Sequence, residues 1–317
     1  MGNNSAWKFG LAAAAFVFAG TVSADTFPNK PIKIVHGSSA GAPQDVMLRR
    51  LAPLLEKYAG VSVVVEPRPG GSGQAAMAYL KGQKADGYTV LSDGTGITSI
   101  LQLPGAAHAW DDFQPLYRMQ LDPFALYVKG DGELTDLASF QEAAKEKDDD
   151  VRVGGYGTGS PHQLLLQQYL NDADITATWV PYSSGTDAIT AVMSGEIEAA
   201  MSNISVADRF KERTKVIAVS SEETVEGHEE VPTFKDEGLD IVKYHWRGTF
   251  VHKDTPEEIV DELFDIFDEA VKSDEFKEYL SKSKTLAGTI SIKEFEDQLA
   301  QQAKDDAQAL EQLGLIK

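Results

Sequence analysis

Apolar residues fall along the chain in short continuous runs that alternate with longer stretches carrying an apolar residue every third or fourth position. The run IKIV at 32–35 is short and continuous enough for a buried parallel strand. A helix is predicted over 46–58, with Val46, Leu48, Leu51, Leu54 and Leu55 on its inner stripe and Gly60 ending it. Residues 61–65 predict a second strand, and Asp86-Gly87-Tyr88 turns into a third at 89–91. Further strands are predicted at 124–128, at 151–153, up to Trp179-Val180-Pro181-Tyr182, and at 199–201, 216–219 and 244–251; helices fall near 137–145, after Pro161, and at 188–193 before Gly195. The last third is helical. Thr255-Pro256-Glu257-Glu258 offers a hydroxyl at the N-cap, proline at the first helical position and glutamate at the third, ahead of Ile259, Leu263, Phe267 and Val271 on one face. Ser291 with Glu294 repeats the box before Phe295 and Leu299. Strands alternating with helices throughout make an α/β class.

The loops between these elements carry the chemistry. In VRVGGYGTGSPHQLLLQQYL, residues 151–170, a strand meets a loop of Gly154, Gly155, Gly157 and Gly159 with the hydroxyls of Thr158 and Ser160, and Pro161 then starts a helix. Helix N-termini present unpaired N–H groups that accept carboxylate or phosphate. HGSSAGAPQD at 36–45 repeats the arrangement upstream, and SDGTG after the third strand and SSGTD before residue 188 are again small and polar. In open α/β sheets that carboxyl edge is where ligands bind. Such loops also occur simply as connections.

The first residues read as a secretory leader: Lys8, an apolar run over 9–19, and Val22-Ser23-Ala24 in the form that signal peptidase accepts, predicting cleavage after Ala24. The run is short for a bilayer span, and no later segment approaches 18 uninterrupted apolar residues, so a soluble chain in the periplasm is expected. The absence of cysteine removes both a lipid anchor and a disulfide framework. Lys and Arg number 29 against 49 Asp and Glu, a net charge of −20, which excludes nucleic acid and anionic membrane as partners. An anionic ligand would be repelled at long range, so local donors must hold it.

Enzyme motifs compete with the binding reading. Gly37-Ser38-Ser39-Ala40-Gly41 matches G-x-S-x-G between strand and helix, the form of a nucleophile elbow, so a secreted serine hydrolase using Ser39 is the alternative. Against it, this is the first strand of the mature chain, with none before it to build an oxyanion hole. Gly157-Thr158-Gly159 is followed by His162 where a dinucleotide site needs glycine, and no G-K-[ST] follows a glycine loop. His228-Glu229-Glu230 lacks a second histidine and no calcium loop is present, so neither metal nor cofactor is implied.

Several stretches in one order resemble the substrate-binding proteins of tripartite tricarboxylate transporters, the TctC or Bug family. They are PIKIV at 31–35, VVVEPRPGG at 63–71, ADGYTVL at 85–91, GTGSPH at 157–162, VPY at 180–182, MSGEIEAA at 193–200, VPTF at 231–234 and residues 246–256. The resemblance covers nearly the whole mature chain. It implies a two-domain periplasmic binding protein, a clamshell of mixed, mostly parallel sheets flanked by helices, formed by 25–121 with 247–317 and by 122–246. A small organic carboxylate, di- or tricarboxylic or aromatic, would be held in the cleft between the domains by a monomer and passed to the membrane components of the transporter, with no catalysis. Carried over by position, the contact residues are His36, Ser38, Ser39, Ala40, Gly41 and Asp45; Ser92, Gly94 and Thr95; Thr158, Gly159, Ser160 and His162; Tyr182, Ser184, Asp187 and Asn203; and Arg247. Departures lie in the first loop, where Ser38 stands at a position usually aromatic, and at Arg247, where the family more often has an apolar residue. Arg247 is left between a second ligand carboxylate and a salt bridge, His162 between ligand donor and loop cap, and Asp187 between ligand contact and helix cap.

Overall fold

The computed structural model describes residues 27–147 and 151–317; the leader expected over 1–24 lies outside them. Along the chain the elements are β1 (Ile32–His36), α1 (Pro43–Ala59), β2 (Val63–Pro67), α2 (Gln74–Lys81), β3 (Thr89–Gly94), α3 (Gly96–Ile100), β4 (Phe113–Lys129) and α4 (Leu137–Lys147). There follow β5 (Arg152–Tyr156), α5 (Pro161–Ala173), β6 (Thr178–Tyr182), α6 (Gly185–Ser194), β7 (Ala199–Asn203), α7 (Ala207–Phe210) and β8 (Thr214–Val219). The chain closes with β9 (Tyr244–His252), α8 (Glu257–Lys272), α9 (Asp274–Lys282), β10 (Leu286–Ala287) and α10 (Ile292–Gln312).

Hydrogen bonding runs continuously through the strand order β2-β1-β3-β9-β4-β7-β5-β6, with β8 and β10 also paired to β4. The long strand β4 makes this possible. Its first part, residues 113–123, pairs antiparallel with β9, and its last part, residues 124–129, pairs antiparallel with β7 and β8. On either side lie parallel trios, β2-β1-β3 and β6-β5-β7. The fold is thus mixed α/β, with β4 and β9 supplying its antiparallel part.

Each half of the sheet is covered on both faces, and side-chain alternation along the strands decides which helix meets which face. In the first half, Ile32 and Ile34 of β1 pack with Leu48, Leu51 and Leu55 of α1 and with Leu263, Phe267 and Val271 of α8. Opposite them, Val35, Leu91, Trp246 and Phe250 pack with Met77 and Leu80 of α2 and Phe295 and Leu299 of α10. In the second half, Phe124, Leu126 and Val128 of β4 face Phe140 of α4 and Leu165 and Tyr169 of α5, while Ala125 and Tyr127 face Ile189 and Val192 of α6. Full burial of each such side chain contributes on the order of 1.5–3 kcal/mol.

Helix starts at α5, α6, α9 and α10 are capped by a serine, whereas that of α8 is not. Ser291 Oγ accepts from the Glu294 N–H while the Glu294 carboxylate accepts from the Ser291 N–H at 2.9 Å, the box read from the sequence. At α8 the expected Thr255 cap does not form. The Thr255 hydroxyl donates to the His252 carbonyl at 2.7 Å, tying off β9, and Pro256 becomes the residue before the helix. The Thr255 N–H donates to the same carbonyl at 2.9 Å, so a tight turn after β9 holds Thr255 out of the capping position.

Candidate functional site

The carboxyl ends of β1, β3, β5, β6 and β7 meet the start of β9 and the middle of β4 at one junction. Contacts there are close. A Cβ on Gly94 would lie 2.9 Å from His245 Nε2, one on Gly96 3.6 Å from Pro161, and one on Gly159 3.0 Å from Leu103.

On the β1 side, Ala42 before α1 has no side chain to accept a hydrogen bond, and Asp45 in the first turn does so instead. Its Oδ2 accepts from the Gly41 N–H at 2.9 Å and from Arg49 Nε at 2.8 Å; its Oδ1 accepts from Arg49 Nη2 at 3.0 Å and lies 3.0 Å from His36 Nε2. One buried carboxylate therefore fastens the strand end, the loop and the helix together. Gly41 has φ of +81°, a conformation glycine adopts without strain and which aims its N–H at Asp45. Arg49 beside it, with the Gly41 and His36 bonds adding, holds the Asp45 carboxyl down at about 2 against burial. Burial pushes His36 below its ordinary value despite Asp45, so the ring is neutral; Nε2–H donates to Asp45 and Nδ1 has no partner. Ser38 Oγ donates to Gln44 Oε1 at 2.8 Å, and Gln44 Nε2 donates to Ser92 Oγ at 3.0 Å, tying the loop to the end of β3. Ser39, Ala40 and Gly41 are exposed.

Past Ser92, Asp93 keeps part of its surface open to solvent, yet the protein around it pushes its carboxyl up to about 7, with the Gly94 N–H at 2.7 Å as counterweight. Thr95 is committed to the framework: its Oγ1 accepts from the Trp246 N–H at 2.7 Å, and its N–H donates to the Trp246 carbonyl at 3.1 Å.

On the β5 side, Ser160 caps α5, accepting weakly from the Gln163 N–H at 3.5 Å, while Gln163 Oε1 accepts from the Gly159 N–H at 2.7 Å. Both serine and glycine are buried; Thr158 between the glycines is exposed. His162 Nδ1 accepts from the Tyr156 N–H at 3.1 Å, which places the ring hydrogen on Nε2, 3.4 Å from Asn203 Oδ1. Burial pushes His162 down to about 4. The Tyr182 hydroxyl donates to Glu196 at 2.9 Å, and its carbonyl accepts from the Gly157 N–H at 3.0 Å. Ser184 caps α6, accepting from the Asp187 N–H at 3.1 Å, and the Asp187 side chain is exposed in the first turn. A Cβ on Gly185 would fall 2.5 Å from Ser202 Oγ and 2.9 Å from His162 Cε1.

The two sides are joined at the centre. Phe124 has its ring 5.6 Å from His162 and 5.9 Å from His245, and the two imidazoles are 6.5 Å apart. Burial, Arg247 and His162 all lower His245 well below its ordinary value. Arg247 Nη1 lies 3.3 Å from Asp122 Oδ2, both side chains buried, and Ser205 Oγ donates to the same oxygen at 2.6 Å. Burial raises Asp122 even so. His36 Nδ1, Asp122 Oδ1 and His245 Nδ1 are buried without a hydrogen-bond partner among the described residues.

The structure thus gathers the sequence candidates into two sets. His36, Ser38, Asp45 and Ser92 form one, and His162, Asn203 and Arg247 another; Tyr182 has its hydroxyl turned to Glu196. Gln44, Asp93, Asp122 and Phe124 were missed. Asp122 carried a signal, being one charge inside the apolar run 119–128, and Gln44 and Asp93 sat within loops already singled out.

Residues 47–315 match the TctC family, described as the tripartite tricarboxylate transporter family receptor. A Cupriavidus necator protein, "UPF0065 protein in gbd 5'region", is 25% identical over 299 residues, covering 93% of this chain and 90% of the relative. Among solved structures, a TctC solute binding protein from Polaromonas is 27% identical with TM-score 0.76, covering 90% of this chain and 100% of its own. MatC from Rhodopseudomonas palustris with bound malate has TM-score 0.78 at 20% identity, covering 90% and 100% of the two chains. A second R. palustris protein, with adipate, has TM-score 0.82 at 21% identity, covering 91% and 98%. Among the described residues no helix is long and apolar enough to cross a membrane.

Proposed function

The chain belongs to the TctC family of tripartite tricarboxylate transporter receptors, and from that premise we propose that it captures a small organic carboxylate in the periplasm and presents it to the membrane components of such a transporter. The observation that carries this reading is the junction itself, where five strand ends and the starts of α1, α5 and α6 converge on buried polar atoms without partners. Helix starts supply N–H donors; the Ser160 oxygen, accepting a backbone N–H, keeps its own O–H to donate, and Ser184 and Thr186 share a hydroxyl–hydroxyl bond of 2.9 Å that leaves one O–H of the pair for a ligand. Ser39 and Thr158 add exposed hydroxyls. Thr95, already donating and accepting within the framework, contributes position only. Malate and adipate in the fold neighbours support a dicarboxylate as the ligand class.

In this reading 25–121 with 247–317 and 122–246 are two domains, each with cores on both faces of its own half-sheet, and the strands crossing between them act as the hinge. A ligand bridging the two sides binds the closed form better and shifts the population toward it. Arg247, bonded to Asp122 through one arm, braces the hinge. Ser39 has no hydrogen bond to His36, whose Nε2 is held by Asp45, so a serine nucleophile would lack its base.

Thermal unfolding of the chain with mono-, di- and tricarboxylates and aromatic acids tests the proposal. A ligand at ~100 times its dissociation constant adds about 2.7 kcal/mol, raising the midpoint by several degrees. A flat panel combined with covalent labelling by a serine-hydrolase probe that is lost in Ser39→Ala would overturn it.

A further inference from the structure

Bordering the strand-end junction through Pro123 and Tyr244, a cavity of about 440 Å³ opens between the loop after β8 and the α9–β10 turn. That volume is in the range of small-molecule sites. Its apolar wall comes from Pro123, Val225, Tyr244 and Leu286; Val225 is buried, whereas Leu286 is half exposed although it is a large apolar side chain. Ser221 lines the same cavity at 3% exposure, and its Oγ has no hydrogen-bond partner among the described residues. Three carboxylates face the space against one ammonium. Glu222 is paired with Lys235 and Glu226 accepts from Ser281 Oγ at 3.5 Å, whereas Glu223 makes no ion pair or hydrogen bond among the described residues. The one cation, Lys284, lies along Gly227, where a Cβ would meet its Nζ at 2.6 Å.

We propose that this cavity is a binding site for a small organic ammonium with an apolar body. The acidic rim, in which Glu223 is unpaired, attracts a cation and, in a chain of net charge −20, repels an anion. An apolar wall that includes an aromatic ring favours an alkyl or aryl ammonium over a hydrated metal ion. The Ser221 hydroxyl supplies a hydrogen-bonding group for the ammonium or a polar substituent.

Benzylammonium, titrated into the full chain by calorimetry, is the probe, with benzyl alcohol as the neutral control. We expect saturable binding that Glu223→Gln/Glu226→Gln weakens by roughly tenfold, the worth of two partly exposed charge contacts. Benzyl alcohol should bind more weakly than the ammonium, and methyl NMR should place the perturbed signals at Leu286 and Val225. No saturable binding, equal binding of the alcohol, unchanged affinity in the double variant, or perturbation confined to other methyls would each overturn the site. Carboxylate binding by the same variant is read separately, so the outcome here is distinguishable from that at the strand-end junction.

Discussion

Replacing Asp45 by Asn removes one charge and leaves an oxygen able to accept from the Gly41 N–H. What is lost is the attraction to Arg49, bonded at 2.8 and 3.0 Å, and to the His36 N–H at 3.0 Å. The carboxyl falls from 3.8 to about 2 on folding, which at ~1.4 kcal/mol per pH unit is about 2.5 kcal/mol. The Asp45 carboxylate is buried but its partner Arg49 is 52% exposed, so solvent screening cuts this by about half. We expect Asp45→Asn to lose about 1–1.5 kcal/mol of stability at neutral pH. The sign with pH follows from the lowered value: the contribution is complete above 3.8 and disappears as pH falls through about 2.

Urea unfolding of the native and Asp45→Asn chains, side by side from neutral pH downward, measures the gap. At neutral pH His36 does not confuse it, because burial holds its ring below its ordinary value and the variant removes the anionic partner that raises it, so the ring is neutral there in both. The gap should therefore hold steady from neutral pH to roughly pH 5 and shrink below about pH 4. A gap that stays constant down to the lowest pH at which both chains fold, or that widens there, would refute the assignment of Asp45 as an ionised latch. Because the same carboxylate aims the Gly41 N–H and fixes the loop, the proposed function predicts that the variant binds a carboxylate more weakly.

Gly37→Ala would place a Cβ 2.4 Å from Gly73 Cα, backbone against backbone, and should cost about 1–3 kcal/mol, read as a lowered thermal midpoint. Asp122→Ala strands the buried Arg247 guanidinium and should lose about 3 kcal/mol, part of which Asp122→Ala/Arg247→Met restores in a denaturant series; no recovery would mean the two side chains act independently. Proton NMR should show the His162 ring neutral from pH 8 to roughly pH 5, given its value of about 4. The same depression makes stability rise with pH between about 4 and 6.5, where the unfolded chain binds the extra proton.

Elements specified by their own residues were legible. The apolar run IKIV forms β1, Ser160 and Pro161 start α5, and Ser291 with Glu294 starts α10, because each signal acts within a few residues of where it is written. The glycine-serine loops were legible as a class for the same reason. Which atoms they spend internally was not. Thr95 reads like any loop hydroxyl, yet it is taken up by the backbone at Trp246, 151 residues away. Ser184 and Asp187 divide the capping of α6 between side chain and N–H in a way that their spacing leaves open.

The longest strand shows why the centre of the molecule was hard to read. Only residues 124–128 of β4 announced themselves, since its first part carries Pro115, Arg118, Asp122 and Pro123, which argue against a sheet interior. Those residues are nevertheless paired, with register shifts between Pro115 and Tyr117 and between Arg118 and Gln120 that accommodate them. The partner is β9, more than a hundred residues later, and Asp122 is tolerated there because Arg247 on β9 and Ser205 after β7 reach it. A charge that looks misplaced in one strand is answered by a second strand and a loop, so its meaning lies in the pairing. Joining the two half-sheets through such a strand puts that buried pair where any movement between the halves must pass, and a lone Asp122 or a lone Arg247 at that point would be costly in either arrangement.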